Sequence, residues 1–215
     1  MRPRLPSPRN WRPVQSSIFK YDSSDIARNP LSLARHPFWL GIAPEYAFAR
    51  SSIVTAIARN GVTSAIRVSG LAARWFEAPA DVPTGLYFAG FAQHDANPDL
   101  GDSAICETAG YGGQSLAAAP ALVQLAGGTV ADAIAITREM HDIAWARNPD
   151  MALPYLDFAG APAGIDVRKV VDNGIRPVLT TGIAHRQAGI GQIGAGMVRV
   201  PMACFTQALR ALVDG

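Results

Sequence analysis

Between Thr180 and Gly196 five glycines fall within seventeen residues, TTGIAHRQAGIGQIGAG, with one histidine, one arginine and no carboxylate. Strand-like residues lead in at Pro177-Val178-Leu179 and out at Met197-Val198-Arg199-Val200. Glycine lacks a Cβ and reaches positive φ cheaply, so such a run brings backbone close to something. Two readings stand side by side. In one, unpaired N–H groups around Gly189, Gly191 and Gly194 cradle an anion, beside a titratable His185 and a cationic Arg186. In the other, the glycines only let two strands pack closely. The segment also spells GxGxxG, but a dinucleotide fingerprint needs a strand before it, a helix opening at it and an acidic residue about 20 positions on. Here a strand-like run ending at Pro201 follows it, so the Rossmann reading is rejected.

The rest of the composition narrows the function classes. Apolar residues make up 49% of the 215 and charged residues 17%. That is ample for a core and low in charge for a monomer's surface, so a buried interface is expected, with a partner or with a second copy of the chain (a homo-oligomer). Residues 1–50 carry eight Lys/Arg against three Asp/Glu, whereas residues 51–215 carry eleven against fourteen. The main body is mildly acidic, which argues against a nucleic-acid surface. Seven of the sixteen prolines lie in residues 1–48, spread among Arg2, Arg4, Arg9 and Arg12. This predicts an irregular, proline- and arginine-rich extension at 1–48, whose removal changes the melting temperature little, and a single domain at 49–215. The long uncharged stretch Thr108–Ala131 is broken by glycines and Pro120, which suits a core helix with flanking loops better than a membrane span. Cys106 and Cys204 form no CxxC, consistent with a reducing cytoplasm.

From Ser52 the pattern becomes regular. Ile53–Arg59 and Val62–Val68 are strand-like and meet at Asn60-Gly61, which predicts a tight hairpin with positive φ at both central residues. Leu71–Pro79 reads as an aromatic-bearing turn and Leu86–Phe91 as a short strand. Gln114–Leu125 reads as a buried helix disturbed by Pro120. Thr129–Trp145 is the clearest amphipathic helix, with Thr129 and Asp132 as a capping-box variant and Val130, Ile134, Met140 and Ile143 on its apolar face. Ile165–Val171 is a short helix stopped at Asn173-Gly174, Ile175–Thr180 a strand, and Met202–Val213 the closing helix. Strands and helices occur without strict βαβ alternation. The expected fold class is mixed α/β, a hairpin-containing sheet packed with several helices and not a doubly wound Rossmann sheet.

The second unusual stretch is Asn97–Gly113, NPDLGDSAICETAGYGG, with Asp99, Asp102 and Glu107 among four glycines. Carboxylates so grouped serve acid/base work, a divalent metal, or turns and caps. Asp102 and Glu107 are the candidates for proton transfer, joined by His185. Arg67, Arg168 and Arg186 are the candidates for holding an anionic substrate, since guanidinium binds carboxylate or phosphate in bidentate fashion. Salt bridges with Asp166, Asp172 or Glu77 are the competing role for Arg67 and Arg168. No histidine stands in zinc-ligand spacing, Ser103 is not in a GxSxG setting, and no metal or cofactor is expected. Both glycine-bearing stretches are expected to meet in space, with His185 beside Asp102 or Glu107.

Four segments together carry a family resemblance: ARNGVTSAIRVSGL (58–71), NPDLGDSAICETAGYGG (97–113), AGIDVRKVVDNGIRPVLTTGIAHRQAGIGQIGAGMVRVP (163–201) and CFTQAL (204–209). They resemble the bacterial YlbE/AllG-like family, in the family's order, over roughly residues 50–213. Members usually carry a substantial additional N-terminal portion, which residues 1–48 do not resemble. The resemblance implies a cytoplasmic subunit of an oxamate carbamoyltransferase assembly of anaerobic allantoin breakdown. It implies an FdrA-like subunit, itself similar to acyl-CoA synthetases, and a second small subunit as partners. The implied reaction moves a carbamoyl group between a small amide anion, oxalurate or oxamate, and phosphate. The alternative is a structural subunit without chemistry of its own. No catalytic residue comes with the resemblance, so the site candidates rest on the residue chemistry above.

Overall fold

The computed structural model describes residues 51–101 and 104–214. The extension at 1–48 and the candidate Asp102 lie outside the described residues. Among these, nine strands and five α-helices form three antiparallel sheets. The mixed α/β class follows as expected, with no parallel strand pair among the described residues.

The first sheet has the order β3-β2-β1-β5, built from β1 (Val54–Asn60), β2 (Thr63–Val68), β3 (Trp75–Pro79) and β5 (Leu100–Gly101). The hairpin forms where Asn60-Gly61 placed it, but with the turn shifted by one residue. Arg59 pairs with Ser64, so Gly61 and Val62 are the central residues, and only Gly61 takes a positive φ, +82°. Asn60 instead ends β1, and its Oδ1 accepts the N–H groups of Val62 and Thr63 at 2.9 and 2.6 Å. Glycine at the first central position is what a II′ turn requires. The segment read as an aromatic turn is largely strand β3, because Trp75 and Phe76 alternate across the sheet and pair with Arg67 and Ile66.

The second sheet has the order β4-β9-β8, from β4 (Thr84–Tyr87), β8 (Val178–Ala184) and β9 (Gln192–Arg199). Of the two readings of Thr180–Gly196, it matches close strand packing: the stretch is a β-hairpin. Gly194 and Gly196 sit in β9 and pair with Tyr87 and Gly85, where a Cβ on either would overlap the carbonyl oxygens of Leu86 and Thr84. Close strand packing is therefore the reason for these glycines. The third sheet is a ribbon of β6 (Ala144–Leu153) and β7 (Ala159–Ile165).

The helices are α1 (Ala104–Thr108), α2 (Ala121–Leu125), α3 (Val130–Ile143), α4 (Val167–Asn173) and α5 (Met202–Asp214). The continuous helix expected at 114–125 is instead two short 3-10 turns, Gly112–Gln114 and Leu116–Ala118, followed by α2, with Pro120 as its N-cap. Proline cannot donate inside a helix, so it opens one here. Helix α3 begins at the expected capping box: Asp132 N–H donates to Thr129 Oγ1 at 3.2 Å and Thr129 N–H to Asp132 Oδ2 at 2.7 Å. Its buried face is Ala133, Thr137, Met140 and Ile143; Val130 is exposed and Ile134 half-buried, so the face is turned from the expected one. Trp145 has left the helix and belongs to β6. Helix α4 ends on Gly174 at φ +67°, and α5 runs as expected. The core gathers β1–β3, α3, α4 and α5 around Ile66, Phe76, Met140, Ile143, Val170 and Phe205.

Candidate active site

Strand β8 is the edge of its sheet, and an edge strand carries a row of unpaired backbone groups. The 97–114 segment covers that edge. Gln114 Nε2 donates to Val178 O at 3.0 Å, Thr180 N–H donates to Glu107 Oε1 at 3.2 Å, and Asn97 N–H donates to Ala184 O at 2.8 Å. The two glycine-bearing stretches thus meet, as their composition suggested.

At this junction lies a buried ionic cluster. Arg59, Asp99 and Glu107 are each 1% exposed. Arg59 comes from β1, Asp99 from the turn before β5, and Glu107 from α1. Arg59 Nη1 lies 3.2 Å from Asp99 Oδ2, close enough for an ion pair, although its N–H does not point at that oxygen. Asp99 Oδ1 accepts from Thr181 Oγ1 at 3.0 Å. Glu107 Oε1 also accepts from Gly113 N–H at 3.4 Å, while Oε2 is buried without a hydrogen-bond partner among the described residues. Gly101 pairs with Arg59, and a Cβ there would overlap the guanidinium, so only glycine lets the arginine lie across β5. Gly112, at φ +58°, faces Glu107 in the same way.

Burial pushes the carboxyl of Glu107 above the ordinary carboxylate range, against the opposing pull of Arg59 and of the N–H groups of Thr180 and Gly113. Asp99 is raised for the same reason, with Arg59 and Thr181 opposing. A raised carboxyl pKa favours the protonated form, the form that can donate a proton. Sequence reasoning found Glu107 and passed over Arg59, which sits near the end of strand β1.

The other candidates do not join this cluster. His185 lies five residues beyond Thr180 along β8, roughly 16 Å at strand rise. It bridges to Ala96, its Nδ1 accepts the Gln187 N–H at 2.8 Å, and its ring meets Phe91 edge-on at 5.7 Å. No carboxylate among the described residues hydrogen-bonds to its ring. Arg186 donates to His94 O at 3.0 Å. Gly189 and Gly191 form the hairpin tip at φ +88° and +89°, facing open space, and Gly194 lies within β9. Arg67 donates to Ala72 O at 3.2 Å and lies over the Trp75 ring at 5.8 Å. Arg168 forms a two-pronged pair with Asp166, at 3.2 and 2.9 Å. Burial of Asp166 acts against its charge, yet the Arg168 contacts hold its carboxyl below the usual range. Arg168 thus makes the salt bridge named as its competing role, and Arg67 packs on Trp75.

No group of His, Cys, Asp and Glu suited to a metal ion occurs among the described residues. None of their helices is long and apolar enough to cross a membrane. Burial pushes the Cys204 thiol up to about 12, which makes it a core residue.

The model of the family described as oxamate carbamoyltransferase subunit AllG matches residues 40–103. The chain is 55% identical over 164 residues to the oxamate carbamoyltransferase subunit AllG of Escherichia coli (strain K12), covering 76% of this chain and 39% of that protein. It is 44% identical over 196 residues to the uncharacterized protein YahG of the same strain, covering 91% of this chain and 41% of that one. A crystal structure of a conserved protein of unknown function from Enterococcus faecalis V583 has the same fold, with a TM-score of 0.77 at 49% identity over 83% of this chain and 44% of that chain. The chain spans about two fifths of the length of these relatives. By these similarities, which extend over most of its length, the chain belongs to the AllG family.

Proposed function

We propose that the chain is a subunit of a cytoplasmic carbamoyltransferase assembly, moving a carbamoyl group between a small amide anion of the oxalurate or oxamate kind and phosphate. The observation that carries this reading is the 55% identity to a protein described as an oxamate carbamoyltransferase subunit. Its partners in this reading are an FdrA-like, acyl-CoA-synthetase-related subunit and a second small subunit.

Phosphorolysis of oxalurate breaks a C–N bond and forms a C–O bond to phosphate, and the departing amide nitrogen takes up a proton. Glu107, whose carboxyl burial pushes above the ordinary carboxylate range, is the candidate donor. Transfer of this kind relies on positioning and charge stabilisation rather than a covalent nucleophile. The test is co-expression with the two other subunits and assay of carbamoyl phosphate formed from oxalurate and phosphate. Formation is expected only with this chain present; undiminished formation in its absence would overturn the proposal.

A second reading is a structural subunit. It is favoured by the near-complete burial of Arg59, Asp99 and Glu107 and by the use of Glu107 Oε1 to cap the β8 edge. Glu107→Gln in the assembly separates the two: loss of turnover with assembly intact supports the acid, and unchanged turnover supports the scaffold.

A further inference from the structure

The β6–β7 ribbon ends in a turn that departs from ordinary backbone geometry. Asp157 and Phe158 both take left-handed conformations, at φ +52° and +58°. Aspartate tolerates this region, but a bulky residue there is strained, because its Cβ crowds the neighbouring carbonyl. The turn closes through Phe158 N–H donating to Leu153 O at 3.0 Å. The Phe158 side chain is 72% exposed, and Tyr155 in the same turn is exposed as well. Backbone strain kept without an internal packing gain points to a contact outside the chain.

At the other end of the same ribbon lies an open, mainly apolar cleft of about 860 Å³. Trp145, Ala146, Ala163 and Gly164 at the ribbon's base form one side of it, Tyr111 lies on the opposite loop, and Arg168 stands on its border. Trp145 and Tyr111 are 63% and 51% exposed. The strand β7 separates tip from cleft by roughly 20 Å at strand rise, so the tip cannot fill its own chain's cleft.

We infer that this ribbon is the contact surface of a symmetric dimer, in which the Phe158 tip of each copy fills the Trp145 cleft of the other. Two ribbons laid side by side in opposite directions about a two-fold axis bring each tip over the other's cleft, because knob and socket lie one ribbon length apart. Such an isologous contact uses both features twice and closes on itself. Charge agrees: the exposed Asp157 next to Phe158 meets a cleft lined in part by Arg168, whose side chain is 55% exposed and whose pair with Asp166 uses Nε and Nη2 but not Nη1.

Sedimentation equilibrium of the full chain over a range of concentrations tests this directly. Wild type is expected to dimerise, and Phe158→Gly or Trp145→Ala to weaken dimerisation by more than about tenfold, as buried aromatic anchors do. Glycine is at home at positive φ, so the Phe158→Gly monomer should melt at the wild-type temperature or above. A loss of fold would lower it instead, and with it the inference. In a Cys106→Ser background, mixing chains with Phe158→Cys and chains with Trp145→Cys should give an inter-chain disulfide, which the separation within one chain forbids. A wild-type monomer at all concentrations, or a dimer unaffected by both substitutions, would overturn the inference. So would binding of the tip only to the other subunits. The dimer is measured without substrate, so its failure leaves the transfer assay standing.

Discussion

Glu107 and Asp99 show how one residue's surroundings set its chemistry. Each carboxyl is raised by burial, so the folded state holds protons that the unfolded chain releases at lower pH. The native state binds more protons between the ordinary carboxylate range and the raised folded values, and stability therefore falls as pH rises through that window. Melting temperature measured against pH should show this decline, and Glu107→Gln should flatten it. A wild-type profile rising through that window would contradict the burial argument. Gly101→Ala should drive the Arg59 guanidinium away from Asp99 and cost about 3 kcal/mol, the scale of breaking a buried ion pair, in denaturant unfolding. Glu107 was legible as a candidate in sequence because carboxylates between glycines stand out. Arg59 was not, since nothing local says which strand residue will face a carboxylate from forty residues on.

Secondary elements were most legible where a local device fixes them. The capping box of Thr129 and Asp132 satisfies helix N–H groups through side chains three residues apart, so α3 begins where the sequence says it does. Thr129→Ala should cost about 1 kcal/mol of stability, read from the shift of the unfolding midpoint at unchanged m-value. The turn at Gly61 is equally local. Gly61→Ala combines a disfavoured positive φ with a Cβ within 2.7 Å of Asn97 Nδ2. It should destabilise the chain by more than about 1 kcal/mol. Elements without such devices were misread or left open. The alanine-rich stretch before Pro120 has helical composition but makes 3-10 turns, with Gln114 tied to the β8 edge at Val178 O and the Ala117 N–H taken by Thr137 Oγ1 of α3. The glycines of 180–196 left an anion cradle and close strand packing both open, because strand propensity does not anticipate a sheet with three strands packed through glycine.

At the scale of the molecule, the arrangement of sheets decides which candidates work together. Three antiparallel sheets place β8 on an edge, and the 97–114 segment docks along it. Glu107 lies near the middle of that edge and His185 beyond its end, so one small substrate does not reach both. In the intact assembly Glu107→Gln is expected to lower turnover by about 100-fold or more, the range of a lost general acid. His185→Ala is expected to retain most of it; the reverse pattern in steady-state turnover would move the chemistry to the hairpin. The sequence by itself determined the class of fold, the Gly61 hairpin, the capped helix and the family, because these follow from local backbone preferences or contiguous residue patterns. Only the tertiary structure decided that Arg59 completes the carboxylate cluster, that the glycine stretch is sheet, and that Phe158 faces outward. Those outcomes depend on pairing register and burial between distant segments, and on desolvation, which exists only once the chain has closed around the charge.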